Sequence, residues 1–540
     1  MRRWDGWGFE DVDAHIGSAG RSFVEAHLGE ASPPSFATLA QIVGAVPQSR
    51  VASHDLLDTD PEARVRHARG QSLPDLLDLR FGRLEAVPDA VARPSHRSEV
   101  RAILDLAAST GMRLIPYGGG TSVVGGVNAR PSADPLVTVD LAALAGVTAI
   151  DERSGLVTAG AGTTGPALAD ALAPRALTVG HEPQSFELAT VGGWVVARGS
   201  GMRSLGLGRI EQLFAGGVLE APAGSLDLPV FPASAAGPDL RQLVLGSEGR
   251  LGFLTDVVLR ATPIPDADRF DAWAMPGWAQ GLEATRELAR SRPGLSMVRL
   301  STVGETRALL AFADKPAQLR ALGAYLRARR RPADWCLLLV GASGSTRPVK
   351  AARAEAGATL GRHGGVQLPA FADAWYRARM RSPYLRNALI AAGYGAETLE
   401  TATDWARVPG LLARLELAIG SALADRDERV HVFTHLSHVY PSGSSLYVTY
   451  LYRLGADPDE ARARAAAIKR AASDTIAAEG ATITHHHGVG ADHAPYLAAE
   501  KGALGMAALE AVVRTFDPDG IMNPGVLLPV VAPTGAGSTP

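Results

Sequence analysis

The chain has 540 residues, 46% apolar and 20% charged, with a formal net charge of -3. That length exceeds one compact core and predicts two or three lobes, and the near-neutral balance excludes a sequence-wide field that would draw the chain to nucleic acid or an anionic membrane. Cys336 is the single cysteine, which excludes an internal disulfide, a cysteine-rich zinc site and an iron–sulfur cluster held by this chain alone.

The opening residues, MRRWDGWGFEDVDAHIG, put acids and glycines after two arginines where a leader would carry an apolar segment. No targeting segment is read there, and a reducing, cytoplasmic setting is expected. No run of about 18 apolar residues occurs, so no membrane span is expected. Residues 1–91 alternate helical patches with breaks such as LGEASPPSF and read as a helical N-terminal extension. Residues 92–265 change to short apolar runs between glycine turns, such as MRLIPYGGGTSVVGG, PLVTVDL and RLGFLTDVVLRATPIP, with a helix over 97–110. That mixture predicts an α+β domain. Residues 266–454 restart with RFDAWAMPGWAQGLEATRELARSR, a strand then an amphipathic helix, and carry the buried strands DWCLLLVGASG and GSSLYVTYLYR. They predict a second lobe with an antiparallel sheet and flanking helices. Residues 455–529 hold a helix over 457–479, the stretch THHHGVGADHAPYL, another helix and FDPDGIMNPGVLLP. The tail, 530–540, is small and proline-rich and is expected to be disordered.

PYGGGTSVVGGV, residues 116–127, follows the strand MRLI and frees the backbone at three successive glycines. Such amides can converge on an anion with no side chain in the way, and Thr121 and Ser122 add hydroxyl donors. A Rossmann loop would feed a helix at its last glycine. Here Val123 and Val124 lead into two more glycines without helical period, and the Lys-Ser/Thr of a nucleotide-hydrolase loop is missing. Alone, the loop reads equally well as a turn between strands. Two further glycine turns, HEPQSFELATVGGWVVARGSGM at 181–202 and GSEGRLGFLTDVVLR at 246–260, make three in one domain and point to one long ligand held by backbone groups.

In order and wording, RWDGWGFED, PYGGGTSVVGG, GHEPQSFELATVGGWVVARGSGM, GSEGRLGFLTDVVLRATPIP, SMVRL, ETLETATDW, GSSLYVTYLYR and HHHGVG resemble flavoenzymes of the vanillyl-alcohol-oxidase type, the PCMH-type or FAD-binding type-4 family. Within it the resemblance is to the alkyldihydroxyacetonephosphate synthases. It implies an α+β, two-lobed fold, a PCMH-type FAD-binding domain plus a cap domain, with 455–529 returning to the active site. It implies FAD contacts from Pro116, Tyr117, Gly118, Gly119, Gly120, Thr121 and Ser122, from Gln184, Ser185 and Thr190, from Ala197, Arg198 and Ser200, and from Gly246, Ser247, Glu248, Gly249, Leu251 and Gly252. Some relatives attach FAD through a histidine in or beside the first loop. Tyr117 stands there, so non-covalent FAD is expected.

The resemblance also implies an FAD-dependent transferase that exchanges the acyl group of acyl-dihydroxyacetone phosphate for a long-chain alcohol, without net redox, in ether-lipid synthesis. Tyr447 matches the catalytic tyrosine. A phenol titrates near 10, so it acts as acid or base only beside cationic or imidazole neighbours, and His485, His486 and His487 are the expected supply. A metal site is a competing reading of these histidines, and an exposed patch the plain one. A contiguous run lacks the i, i+4 spacing of metal-binding helices, and no metal is assigned. Arg386, in SPYLRNALI, matches a substrate-contacting arginine. Arg299, in SMVRL, matches a second functionally sensitive arginine, with a structural ion pair as its alternative.

Two features depart from the synthase pattern. DPDGIMNPGVLLP reads like the ending of FAD-dependent 2-hydroxy-acid dehydrogenases, and His431, His435 and His438 form a cluster of a kind that can bind metal in those enzymes. An FAD-dependent oxidoreductase of a 2-hydroxy acid or other alcohol is therefore the alternative. The expected partners are a small-molecule or lipid substrate, a second copy in a homodimer and a peripheral membrane contact, with no nucleic acid.

Overall fold

The computed structural model describes residues 1–529 apart from Pro332, Ala370 and Ala456, so the expectation of a disordered tail at 530–540 lies outside the described residues. In the first lobe, β1 (Ala90–Ala92), β2 (Arg113–Tyr117) and β3 (Leu136–Asp140) form a parallel sheet in the order β1-β3-β2. The helix Arg97–Thr110 buries Val100, Ile103, Leu104 and Ala107, which recur at helical spacing, in one cluster with Leu114, Val137 and Val139 of that sheet. An antiparallel sheet follows, ordered β4-β5-β9-β7-β8, from β4 (Val147–Asp151), β5 (Leu156–Gly160), β7 (Phe214–Ala221), β8 (Gly224–Leu228) and β9 (Phe253–Arg260). The two-residue strands β6 (Leu177–Thr178) and β10 (Thr262–Pro263) pair with each other.

The second lobe is one antiparallel sheet ordered β14-β11-β13-β12-β16-β17-β15. Its strands are β11 (Ala267–Met275), β12 (Met297–Ser301), β13 (Cys336–Gly344), β14 (Val366–Gln367), β15 (Tyr394–Asp404), β16 (Val430–Leu436) and β17 (Gly443–Arg453). Alternation along β17 divides its residues between two faces. Leu446, Val448, Tyr450 and Tyr452 point into the main core, where Leu411 and Leu415 of the helix Val408–Gly420 and Ile468 and Ile476 of the helix Pro458–Ala478 cover them. Each such side chain contributes about 1.5–3 kcal/mol on burial. On the opposite face Leu451 packs with Val24 and Leu28 of the helix Ser18–Leu28. Thr449, Tyr447 and Ser445 continue that face as a polar stripe.

Both ends of the chain connect the lobes. The N-terminal helix Leu73–Phe81 contributes Leu73, Leu76 and Leu77 to the second lobe's core. The C-terminal helix Leu497–Phe516 places Val513 in the first lobe's core, and the chain then lays Met522 beside Leu114 as a parallel bridge, with Asn523 N donating to Leu114 O at 2.7 Å. Among the described residues no helix is long and apolar enough to cross a membrane.

Candidate active site

β2 ends at Tyr117, and the chain turns at once through the first glycine loop. A Cβ on Gly119 would stand 2.0 Å from the Leu188 carbonyl oxygen, and one on Gly118 2.5 Å from Thr190 Oγ1, so this loop is pressed onto the turn at 184–190. The third turn closes beside them, Gly249 lying so near that its Cβ would meet the Pro116 ring at 2.6 Å. Thr190 caps the helix Val191–Val196 by accepting from Gly193 N at 3.2 Å, and Glu248 N donates to the Val196 carbonyl at 2.9 Å. The three turns predicted to share one ligand therefore meet in one place.

The groups left over there fit FAD. The backbone N–H groups of residues 118–123 donate to no other group among the described residues. The Ser247 hydroxyl and both ring nitrogens of His181 are buried without partners, and burial takes His181 down to about 3, leaving a neutral ring. Buried polar groups are ordinarily paired. A row of open amides beside an unpaired hydroxyl and imidazole is a donor set suited to the pyrophosphate and ring carbonyls of a flavin dinucleotide.

Several side chains expected at the cofactor face elsewhere. Glu248 is the clearest correction: with its backbone at φ +50, its carboxyl accepts from Val489 N at 2.6 Å and Gly490 N at 2.7 Å, in the histidine turn. Burial raises it to about 7. Arg198 sends its guanidinium to Glu211 at 3.1 Å and Gln242 at 3.2 Å, and the Gln184 amide reaches the Arg379 carbonyl at 3.5 Å. The Tyr117 ring folds back over Gly120 and stands 4.9 Å from the His67 ring.

The other half of the site is the polar stripe on the second lobe's sheet. Register places Glu400 of β15, Tyr447 of β17 and His435 of β16 side by side in one row, with Ser301 of β12 next beyond His435. The Tyr447 hydroxyl donates to Thr398 Oγ1 at 3.1 Å, His435 stacks on its ring at 4.7 Å, and His487 stands edge-on at 5.8 Å. Thr398 and His487 also line a small cavity of about 10 Å³, room for about one water. Among the described residues no imidazole is hydrogen-bonded to the phenol. This corrects the expectation that the histidines stabilise its anion: burial pushes Tyr447 up to about 12, takes His487 down to about 3 and lowers His435, His438 and His485, so the rings around it are neutral.

The two arginines expected to bind substrate are committed to carboxylates. Arg299 donates to Glu305 at 2.7 Å and Ser301 at 2.8 Å, and Nδ1 of His435 lies 2.6 Å from Glu305. Arg299 and His435 hold Glu305 down at about 2 against the opposing effect of its burial. The ion-pair alternative is thus the observed one. Arg386 donates to the Gln71 carbonyl at 2.6 Å and lies 3.5 Å from Glu397, a buried carboxylate that also accepts from Leu73 N. It serves as the partner of Glu397 between the N-terminal segment and β15.

The histidine turn is held by its backbone. Gly490, at φ +57, passes so close to Val124 that a Cβ would stand 1.9 Å from the Val124 carbonyl oxygen. His485 accepts at Nε2 from Arg209 at 2.8 Å and Tyr440 at 2.6 Å, while its Nδ1 lies 3.4 Å from Glu400 and 3.2 Å from Nδ1 of His486. His486 Nδ1 is in direct contact with the other oxygen of Glu400, and Ser437 donates to the first. Despite its burial, Glu400 is held well below the usual carboxylate range by His486 and His485.

Glu400, His438, His485 and His486 offer ligand atoms within 4.8 Å of one another, near enough for a metal ion. The surroundings of His485 oppose that use. A neutral imidazole bound to metal through Nδ1 carries a proton on Nε2 and needs an acceptor there, and the guanidinium of Arg209 can only donate. Of the upstream histidines only His438 joins this group. His431 lies among Phe23, His27 and Phe433, and His435 faces Glu305.

Glu400, Arg209, Tyr440 and Glu305 escaped the reading of the sequence. Two glutamates in the otherwise buried strand YGAETLETATD were the available signal for Glu400, since an unpaired carboxylate is costly there.

Residues 88–224 match the family described as FAD binding domain, and residues 264–527 match FAD linked oxidases, C-terminal domain. The chain is 28% identical over 488 residues to the alkyldihydroxyacetonephosphate synthase of Dictyostelium discoideum, covering 88% of this chain and 79% of that one. It is 27% identical over 494 residues to the enzyme of the same name from Trypanosoma brucei brucei, covering 89% and 79%. A solved alkyldihydroxyacetonephosphate synthase superposes with a TM-score of 0.82 at 23% identity, over 97% of this chain and 98% of that one, and carries the same two-lobed fold. The chain belongs to the FAD-dependent enzymes of the FAD linked oxidase family, as a homologue of the alkyldihydroxyacetonephosphate synthases.

Proposed function

We propose that this protein is a transferase of the alkyldihydroxyacetonephosphate synthase type, replacing the acyl group of acyl-dihydroxyacetone phosphate with a long-chain alcohol without net redox. The observation that carries the reading is the row Glu400, Tyr447, His435 on the cap sheet, with the histidine turn against it, in a chain whose synthase relatives match it over most of its length. When bound, FAD supplies an electron-deficient ring system beside these groups. The open amides of residues 118–123, Ser247 and His181 are the residues that hold it, without a covalent bond.

Tyr447 is the acid/base residue. At rest it is a phenol, because burial raises it to about 12, so its first act is donation: its proton goes to the departing carboxylate as the carbon–oxygen bond at carbon 1 breaks. The incoming alcohol oxygen supplies the electron pair of the new bond to carbon 1 as the old one breaks and gives its proton to the phenolate, which restores the phenol. Thr398, the acceptor of its hydroxyl, keeps the ring aimed between these steps.

Purified yellow protein, mixed under anaerobic conditions with acyl-dihydroxyacetone phosphate and labelled hexadecanol, incorporates label and releases fatty acid with no electron acceptor present. Bleaching of the flavin by a 2-hydroxy acid, with colour restored by an acceptor and no label incorporated, would replace this reading with the oxidoreductase one. Acid precipitation releases the flavin into the supernatant if attachment is non-covalent, and leaves it in the pellet otherwise.

A further inference from the structure

RWDGWGFED, residues 3–11, belongs to neither the cofactor turns nor the row on the cap sheet, and its shape gives it one seat. Arg3 N donates to the Gly8 carbonyl at 2.9 Å and Arg2 pairs with Phe9 as an antiparallel bridge, so residues 2–9 close into a tight loop that carries Trp7. Two glycines let that loop lie against the helix Ser382–Ala391 of the second lobe. A Cβ on Gly6 would stand 2.6 Å from Asn387 Oδ1, and one on Gly8, at φ +85, would run into the Tyr384 ring. Asn387 clasps the backbone of Trp7 with both ends of its amide. Its Oδ1 accepts from Trp7 N at 2.9 Å and its Nδ2 donates to the Trp7 carbonyl at 2.9 Å. Arg80, from the helix Leu73–Phe81, donates to the Asp5 carbonyl at 2.7 Å.

The clasp delivers an indole to the back of the cofactor site. Trp7 is 6% exposed and packs in one cluster with Tyr384 and Leu188. Leu188 belongs to the turn at 184–190, and its carbonyl oxygen is the atom that leaves no room for a Cβ on Gly119. One residue of that turn is thus engaged by Trp7 through its side chain and by the glycine loop through its backbone. The Tyr384 hydroxyl holds the same turn again, donating to Glu187 at 3.1 Å. Contacts therefore run from Trp7 through Leu188 to the open amides of 118–123, and from Trp7 through Asn387 to the helix that carries Arg386.

We propose that residues 2–9 form a latch on the cofactor site and that Trp7 is a positioning residue for FAD: seated on Leu188, it keeps the turn at 184–190 against the glycine loop, in the arrangement that aims the amides of 118–123 at the ligand. Linkage makes the effect mutual, so the factor by which the seated loop raises FAD affinity is the factor by which FAD tightens the loop. The link needs FAD binding alone and is independent of the reaction the enzyme performs.

The test reads the link in both directions. In wild-type protein stripped of flavin, returning FAD slows amide hydrogen exchange at residues 4–9 as well as at 118–123. Protection confined to 118–123, with 4–9 unchanged, overturns the proposal and requires no variant. FAD titrated into stripped variants, followed by flavin fluorescence, gives the other direction. Trp7→Ala weakens binding by about 10-fold or more, within the range usual for coupled sites, and Trp7→Phe restores most of it. Asn387→Ala, which removes both hydrogen bonds and leaves the indole, weakens binding less. A Trp7→Ala protein with a lowered thermal midpoint and wild-type FAD affinity assigns the indole to the fold alone and overturns the proposal. If Trp7→Ala does not fold, the exchange at residues 4–9 and the FAD affinity of Asn387→Ala decide in its place.

Discussion

The two lobes build their halves of the site by opposite means. In the first lobe the ligand-facing groups are main-chain amides, left open along residues 118–123 where glycines let three turns press together. In the second, the groups that face the site are side chains. The site is a row of side chains fixed by strand register, each carboxylate matched to a named cation or imidazole. A backbone-built site tolerates change of side chains but not of Cβ atoms. A side-chain network tolerates neither loss of charge nor loss of register.

The sharpest way to break this contrast is to add one methyl group to the first lobe. Gly119→Ala forces a Cβ against the Leu188 carbonyl at 2.0 Å, and the expected result is protein that folds poorly or emerges without flavin, seen in the ratio of flavin absorbance to protein. A stoichiometric yellow Gly119→Ala protein would show that the turns are looser than described. Next in size, Tyr447→Phe retains flavin but loses roughly 100-fold or more in turnover, the usual contribution of a positioned proton donor. Turnover within a few-fold of wild type removes Tyr447 from the chemistry.

Arg299→Ala leaves Glu305 buried without its guanidinium and is expected to cost about 3–5 kcal/mol in urea unfolding, since breaking one side of a buried pair strands the other charge. A rise in KM with unchanged stability would return Arg299 to the substrate. The smallest effect concerns Glu248, the tether between the lobes' loops. Its folded carboxyl is raised from 4.5 to about 7, so between those values the native state keeps a proton that the unfolded chain has released. Stability therefore falls as pH rises through that window. Glu248→Gln flattens the slope, measured as the thermal midpoint at several pH values between 4.5 and 7.5. An unchanged slope assigns the dependence to other groups.

The same contrast explains what could be read in the sequence. The helix Arg97–Thr110 declares itself by periodicity, the strands at 336–344 and 443–453 by short apolar runs, and the cofactor loops by clustered glycines, because each signal is local. The row joining Glu400, Tyr447 and His435 is not local. It depends on which of two neighbours each strand accepts, and residues 400 and 447 are brought together only by the pairing of β15 with β17. The parallel order of β1, β3 and β2 was hidden for a related reason, since strands covered on both faces read as plain apolar runs. The setting of the arginines was hidden in another way. The buried carboxylate opposite each guanidinium, Glu305 or Glu397, is seen only in the fold.

The histidine turn rests on Glu248 and Val124, and the chain beyond it adds Met522 to the edge of β2. On a ribosome, the sheets of both lobes can be complete before these residues leave the exit tunnel. The histidine turn follows them, so the nascent polypeptide has a place for its cofactor before Glu400 has its two imidazole neighbours. A site assembled in that sequence is completed only when the surrounding walls are already standing.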